Sequence, residues 1–235
     1  LRAANTVLGA RAQPEMHKLR VLKGIPLPDF ETAAHRFRIE LKPDAKAPDT
    51  LQAMLYDAAG VPRFAAQFIG QGQYQATPAP QAPADWQTAG WRGADLYGNQ
   101  LFHGPDFAAL QTVDRIGASG AEASLLTSPT LGWSAGPWAM DPALIDGGLQ
   151  LARMWGLAQL NKLTLPTAME RFVLHRPGFV PAGTVRCILQ GRLIGQSGTR
   201  ADLWFVDDST GQVVAEIQGL EMYASSEPST AGGAA

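Results

Sequence analysis

Cysteine is all but absent from the 235-residue sequence, where Cys187 stands alone. A single thiol excludes an internal disulfide and any thiolate-rich zinc site, and it fits a reducing compartment. Charge is scarce as well. Only 17% of the residues are Asp, Glu, Lys or Arg, and the formal net charge is -2. No run of lysine or arginine offers a phosphate backbone an electrostatic partner, so nucleic acid is not an expected ligand. Long apolar runs are missing too. None approaches the eighteen or so residues of a bilayer-spanning helix, and Leu1 opens no charged-then-apolar export signal, so no membrane partner is expected and the cytoplasm is the expected location. The abrupt start at Leu1 reads as the edge of an excised domain. Phosphate-binding glycine loops, a Gly-x-Ser-x-Gly elbow and metal-ligand spacings of His, Glu and Asp are not found, which leaves no cofactor or metal to expect.

What is present is apolar mass. With 46% hydrophobic residues the chain can bury the core of one large domain or two small ones. Two stretches have linker composition: residues 71–92, in a region rich in Gln, Ala and Pro, and residues 225–235, made of Ser, Thr, Glu, Pro, Gly and Ala. They set off a first portion at 1–70, a second at 93–224 and a flexible tail.

The two portions read as a repeat. Each passes from a helix-like segment into a strand, Arg20-Val21-Leu22 in one and Phe172-Val173-Leu174 in the other, at an offset of about 152 residues. Alternating strands follow, Arg36-Phe37-Arg38-Ile39-Glu40-Leu41 against Thr184-Val185-Arg186-Cys187-Ile188-Leu189. Hairpin turns follow in both, Asp57-Ala58-Ala59-Gly60 and Asp208-Ser209-Thr210-Gly211, at an offset of about 151. Two unrelated hairpins can resemble each other by chance; the agreement of offsets at both ends argues for a true repeat. The offset places Leu1 opposite Leu151, so the first copy starts inside its own helix, and roughly fifty residues of the second copy, 95–150, have no counterpart in the first.

The clearest helix is expected from Pro142 to about Asn161. Asp141 is an N-cap, Pro142 suits the first helical position, and Leu144, Leu149, Met154, Leu157 and Leu160 recur at roughly helical spacing. A long helix followed by a twisted antiparallel sheet, present twice, is an α+β architecture whose apolar contacts centre on the helix.

On that helix Asp146 sits among Leu144, Ile145 and Leu149, where burial would raise its pKa and keep it protonated. Gln150 lies one turn on, so its amide shares that face and can hold the carboxyl or a substrate hydroxyl by hydrogen bond. Gly147 and Gly148 each cost the helix nearly 1 kcal/mol relative to alanine. That cost is reasonable where substrate or the partner repeat passes close to the backbone. The alternative for Asp146 is an early-turn acid favoured by the helix dipole alone. The histidines are His17, His35, His103 and His175; His17 in a loop, His35 at a strand start and His175 after a strand read as surface residues. The tryptophans 133, 138, 155 and 204 are scattered and read as core or wall.

Three segments carry a family resemblance: Leu101-Phe102-His103-Gly104-Pro105-Asp106-Phe107, Asp141-Pro142-Ala143-Leu144-Ile145-Asp146-Gly147-Gly148-Leu149-Gln150, and Leu165-Pro166-Thr167-Ala168-Met169. In the same order, they resemble the GPxF, DxxxQ/H and LPxx motifs of polyketide synthase dehydratase domains. Val21-Leu22-Lys23-Gly24 and the Leu101–Pro105 stretch lean towards the dehydratase-like regions of polyunsaturated-fatty-acid and enediyne-type synthases. The resemblance runs from Leu1 to Ala224.

It implies a double hotdog, two antiparallel sheets each wrapped around a central helix, with the first hotdog incomplete at its N-terminus. The implied reaction is loss of water from a 3-hydroxyacyl thioester on the phosphopantetheine arm of an acyl carrier protein, giving a 2-enoyl thioester. The implied partners are that carrier, neighbouring synthase domains and a second copy in a homodimer. A base removes the α-proton while an acid protonates the departing hydroxyl, hydroxide being a poor leaving group. Asp146 matches the family's acid, with Gln150 as its partner; His103, Gly104, Pro105, Phe107, Leu165 and Pro166 match residues at the substrate tunnel. The family's base lies in an HxxxGxxxxP motif that this sequence does not contain. His103, standing where many members carry tyrosine, is the stand-in to weigh; otherwise the base lies ahead of Leu1 or is lost. An inactive docking domain and a product-template-like cyclase or thioesterase are the alternatives.

Overall fold

Glycines at two hairpins and a proline-led helix punctuate the architecture. The structure, a computed structural model, describes residue 4 and residues 13–27, 32–71, 78–98, 100–134, 136, 138–181 and 183–224. In chain order its elements are β1 (Gln13–Val21), β2 (Phe37–Asp44), β3 (Ala47–Asp57), β4 (Pro62–Gln71), β5 (Gln87–Arg92), β6 (Leu110–Gly117), β7 (Gly120–Leu125), α1 (Pro142–Leu160), β8 (Thr164–Leu174), β9 (Val185–Ile194), β10 (Gly198–Asp207) and β11 (Gln212–Ala224). The chain divides into two units. One comprises Leu1–Gln75 and Thr167–Val173, the other Ala76–Pro166 and Leu174–Ala235, so the middle of β8 is counted with the first unit. No helix among the described residues is long and apolar enough to cross a membrane.

In the first unit the strands run β2-β3-β4-β1, all antiparallel, and the Thr167–Val173 stretch of β8 pairs with β1. Leu51 and Phe68 form its buried cluster with Ala4, and Met16, Leu41 and Ala53 pack against them. Ala4 is helical; apart from it, the lead-in helix expected for the first copy lies outside the described residues. So do residues 72–77 of the expected linker and the whole tail 225–235.

In the second unit the order is β11-β10-β9-β7-β6-β5, again antiparallel where the register is known. The succession β2-β3-β4 thus recurs as β9-β10-β11. The matching turns use the same device. Gly60 at φ +78° and Gly211 at φ +68° take the left-handed region that glycine enters without a Cβ penalty. Their amides donate to the carbonyls of Asp57 (3.0 Å) and Asp207 (2.7 Å). Each aspartate then bonds its own turn: the Asp57 carboxylate accepts from the amides of Ala59 and Val61, and that of Asp207 from the amide and hydroxyl of Ser209. The second turn is therefore anchored by Asp207, one residue before the expected Asp208, because only Asp207 lies within reach of the turn amides.

The stretch 71–92 is not a plain connector. Residues 87–92 form β5, which pairs with β6. Trp86 is buried at 3% exposure on Ile188, Val206 and Val213, with its indole donating to the Ser119 hydroxyl at 3.0 Å. Tertiary burial of one tryptophan outweighs the linker-like composition around it.

Helix α1 begins as expected. Asp141 accepts from the Ala143 amide at 2.9 Å and is itself buried, its other oxygen taking the Ser128 amide and its first the Ser128 hydroxyl. A cap of this kind contributes about 1 kcal/mol. The helix ends at Leu160, where Asn161 adopts the left-handed conformation and donates its amide to the Leu157 carbonyl. Pro166 is the third residue of the strand that follows, β8.

The buried residues are Ala143, Leu144, Gly147, Gly148, Leu151, Ala152, Met154, Trp155 and Gly156, with Gln150 and Arg153; the face is rotated from the stripe expected, of which Leu144 and Met154 are buried while Leu149, Leu157 and Leu160 are only half-buried. The glycines explain the rotation. A Cβ on Gly148 would lie 2.6 Å from the Phe205 ring, and one on Gly147 3.1 Å from Leu125. The close approach is thus to the sheet of the same unit. Gly191 likewise leaves room for the Trp155 ring.

Two histidines expected on the surface are not there. His17 lies in β1, half-buried, 3.0 Å from the Glu15 carboxylate. His175 is 3% exposed, 3.9 Å from Glu216. Strand pairing encloses both, which local polarity could not reveal. Glu15 also takes two bonds from the Arg171 guanidinium, at 2.7 and 2.6 Å. Burial pushes its carboxyl up, but the bonds and charges of Arg171 and His17 outweigh this and leave it below the usual range.

Two outcomes follow. Gly148→Ala gains about 1 kcal/mol of helix propensity. It also overpacks against the fully buried Phe205, a cost of roughly 1–3 kcal/mol. Urea unfolding should show a net loss. For Glu15, a depressed folded pKa means stability that is present above the unfolded value near 4.5 and is lost as pH falls through the folded one. Glu15→Gln should flatten the fall in melting temperature below pH 4.5.

Candidate active site

Helix periodicity places Asp146 and Gln150 one turn apart on α1, facing the segment that leads from Tyr97 to β6. Gln150 is buried at 1% exposure, and all four of its hydrogen-bonding positions are used. Its amide nitrogen donates to the Phe107 carbonyl (2.8 Å) and to Oδ2 of Asp146 (2.7 Å). Its amide oxygen accepts from the Tyr97 hydroxyl (2.8 Å) and the Leu110 amide (3.3 Å). Burial drives the Tyr97 phenol far above its ordinary value, so it remains a donor. That O–H is shared between Gln150 and the Leu110 carbonyl at 2.9 Å, while the Leu110 amide donates to the phenol oxygen at 3.0 Å.

These partners settle which way the Gln150 amide points. Two donors meet its oxygen, so its N–H faces Asp146, and Oδ2 of Asp146 is an acceptor. A proton carried by Asp146 therefore belongs on Oδ1, for which no hydrogen-bond partner is found among the described residues. Asp146 is not enclosed by its apolar helix neighbours as expected. A third of its side chain is exposed, at 33%, because Leu144 turns into the core while Asp146 turns towards the mouth of the site.

His103 stands beside it, Nε2 at 3.9 Å from Oδ2 of Asp146, with 15% of its side chain exposed. That distance is too long for a direct hydrogen bond and leaves a gap between two polar atoms. The imidazole stacks on Phe102, ring centroids 4.4 Å apart, and its Nδ1 is buried without a partner. Burial lowers its pKa, the Asp146 carboxylate opposes this, and the Arg153 cation adds to the lowering. The imidazole is accordingly neutral at neutral pH.

Gly104 caps a 3₁₀ turn, Pro105–Phe107, that presents the Phe107 carbonyl to Gln150. The Phe107 ring meets Trp133 edge-on at 5.2 Å, and the Trp133 indole donates to the Asp106 carbonyl at 2.7 Å. Asp146, Gln150, His103 and Phe107 are thus brought together. Leu165, 44% exposed, and Pro166 have no recorded bond or ring contact to that group. Only the neighbouring Thr164 carbonyl is tied in, by Arg153 at 3.2 Å. Sequence reading missed Tyr97, Phe102 and Arg153. Tyr97 precedes the motif and carries no signal of its own, and the other two act through contacts that exist only in the fold. No group of three or more His, Cys, Asp or Glu side chains suited to a metal is found among the described residues.

If Gln150 were merely a surface pair with Asp146, removing it would cost about 0.3–0.5 kcal/mol. Gln150→Leu instead removes four hydrogen bonds from a buried position, with the Leu110 amide, the Tyr97 phenol and the Phe107 carbonyl each keeping one other partner, so a loss of roughly 2–4 kcal/mol is expected. Denaturant unfolding separates these values.

The family model described as the polyketide synthase dehydratase N-terminal domain matches residues 75–231, more than half of the chain. No curated protein matches it. Among solved structures, a dehydratase domain of a trans-AT polyketide synthase from Brevibacillus brevis is similar at 14% identity and a TM-score of 0.77, over 95% of this chain and 82% of that one. The dehydratase domain of RzxB from Pseudomonas fluorescens is similar at 18% identity and a TM-score of 0.71, over 96% and 81%. An inactive histidine-to-phenylalanine mutant of the CurJ dehydratase, in complex with a compound, is similar at 15% and 0.71, over 95% and 79%. At these identities the likeness shows a shared fold, that of the hotdog dehydratases, and the family match carries the rest: this chain belongs to the polyketide synthase dehydratase domains.

Proposed function

We propose that the chain is the dehydratase domain of a polyketide or polyunsaturated-fatty-acid synthase. It eliminates water from 3-hydroxyacyl thioesters on an acyl carrier protein and releases 2-enoyl thioesters, with Asp146 as general acid for the departing hydroxyl and the α-proton passing to a base, for which His103 is the candidate among the described residues. The observation that carries this is the Gln150 hydrogen bond to Oδ2, which leaves Oδ1 as the oxygen able to deliver a proton to the leaving hydroxyl. Gln150 orients the carboxyl. His103, Gly104, Pro105 and Phe107 line the approach for the acyl chain, and Leu165 and Pro166 lie further along it.

The wider architecture in this reading is a double hotdog. Its support is the recurrence of β2-β3-β4 as β9-β10-β11, together with a helical Ala4 buried on the first sheet. Partners are the carrier protein's phosphopantetheine arm, adjacent synthase domains and, in a homodimer, a second copy; the setting is the cytoplasm.

A second reading has one observation in its favour. His103 within 3.9 Å of Asp146 puts a neutral imidazole and a carboxyl in one chamber, as a product-template-like cyclase would require.

The test is the rate at which a 3-hydroxyacyl pantetheine thioester is dehydrated, followed by the absorbance of the enoyl product. The Asp146→Asn protein should be slower by about 10²–10⁴-fold. Equal rates in the two proteins would remove Asp146 from the chemistry, and turnover in neither would leave a binding domain with a dehydratase fold.

A further inference from the structure

Arg153 is a buried cation with an unusual set of partners. Its side chain lies in the second unit at 8% exposure, where an arginine is ordinarily paired with a carboxylate. Here its Nε donates to the Gln100 carbonyl (3.3 Å) and an Nη to that of Thr164 (3.2 Å), and no carboxylate among the described residues is in ion-pair range. Its guanidinium carbon stands 5.0 Å from the centroid of the Phe102 ring. The Phe102 ring, 71% exposed, is stacked at an interplanar angle of 19° on His103. The Phe102 ring thus has the guanidinium on it and the imidazole beside it.

We propose that Arg153 is a positioning residue for the candidate active site: seated on two backbone carbonyls, it clamps the Phe102 ring, which holds the His103 imidazole beside the Asp146 carboxyl. The stack replaces the hydrogen bond that usually fixes a functional histidine, since Nδ1 of His103 has none. It also sets the charge state. Of the groups around the imidazole, Asp146 and Arg153, both on α1, act on it in opposite directions, and burial sides with Arg153. On its own segment Asp95 turns back to the Arg92 amide, and Tyr97 stays an uncharged phenol. A neutral His103 can accept a hydrogen bond from a substrate hydroxyl or from a protonated Asp146, whereas an imidazolium would hold Asp146 as a carboxylate and withdraw its proton. This catalytic consequence rests on the dehydratase reading; the stack itself does not.

The experiment is an NMR titration of the histidine imidazoles in the whole chain, with His103→Gln identifying the resonance. His103 should titrate below the ordinary value of about 6.5. Arg153→Met, which removes the charge and keeps much of the stem, should raise it by at least about half a unit. Phe102→Leu, at a position too exposed to endanger the fold, should raise it as well by opening the imidazole to water. A His103 titration that is the same in the wild type and both variants would overturn the proposal. In the dehydration assay the acid limb of kcat/KM should move to higher pH in the same two variants. Failure of the dehydratase reading is seen separately, as equal rates with and without Asp146→Asn, and leaves the titration to decide the stack.

Discussion

The close approach of α1 to its sheet is the constraint on which the candidate site depends. Gly147 and Gly148 bring the helix against Leu125 and Phe205, and Trp155 fills the space left over Gly191, so neither the distance nor the rotation of the helix is free. Close-packed interiors tolerate little change of volume. With that rotation set, position 150 faces the Tyr97–Leu110 segment and position 146 reaches the rim.

The buried amide of Gln150 then converts packing into chemistry. A buried polar group is costly unless every donor and acceptor is met, and here three positions are met by Tyr97, Phe107 and Leu110 and the fourth by Asp146 on the helix itself. Satisfying the amide makes Oδ2 of Asp146 an acceptor and leaves Oδ1 without a hydrogen-bond partner among the described residues. The Tyr97–Leu110 segment also carries His103, held by ring stacking where a hydrogen bond is missing. Polar satisfaction and aromatic stacking thus act on neighbouring groups, and both depend on residues with no chemistry of their own.

Much of this was legible in the residue order. The cap at Asp141, the glycine turns, the Asp146–Gln150 spacing and the three motifs are local signals, readable because helix and turn geometry relate residues a few positions apart. The misreadings share a cause. His17, His175, Trp86 and the β5 strand all acquire their surroundings from segments distant in sequence, and the buried face of α1 was obscured because glycines count as nothing in a hydrophobic pattern yet decide how close a helix can come.

The sequence by itself determined the helix and its ends, the repeated hairpins, the family resemblance and the pairing of Asp146 with Gln150, since each depends on contacts within a turn or two of chain. Tertiary structure alone decided that His103 stands beside Asp146, that Tyr97 and Leu110 complete the Gln150 network, and that Arg153 reaches the site through Phe102. Those contacts join positions 40 to 53 residues apart and depend on a helix rotation set by van der Waals contact, which no spacing rule encodes.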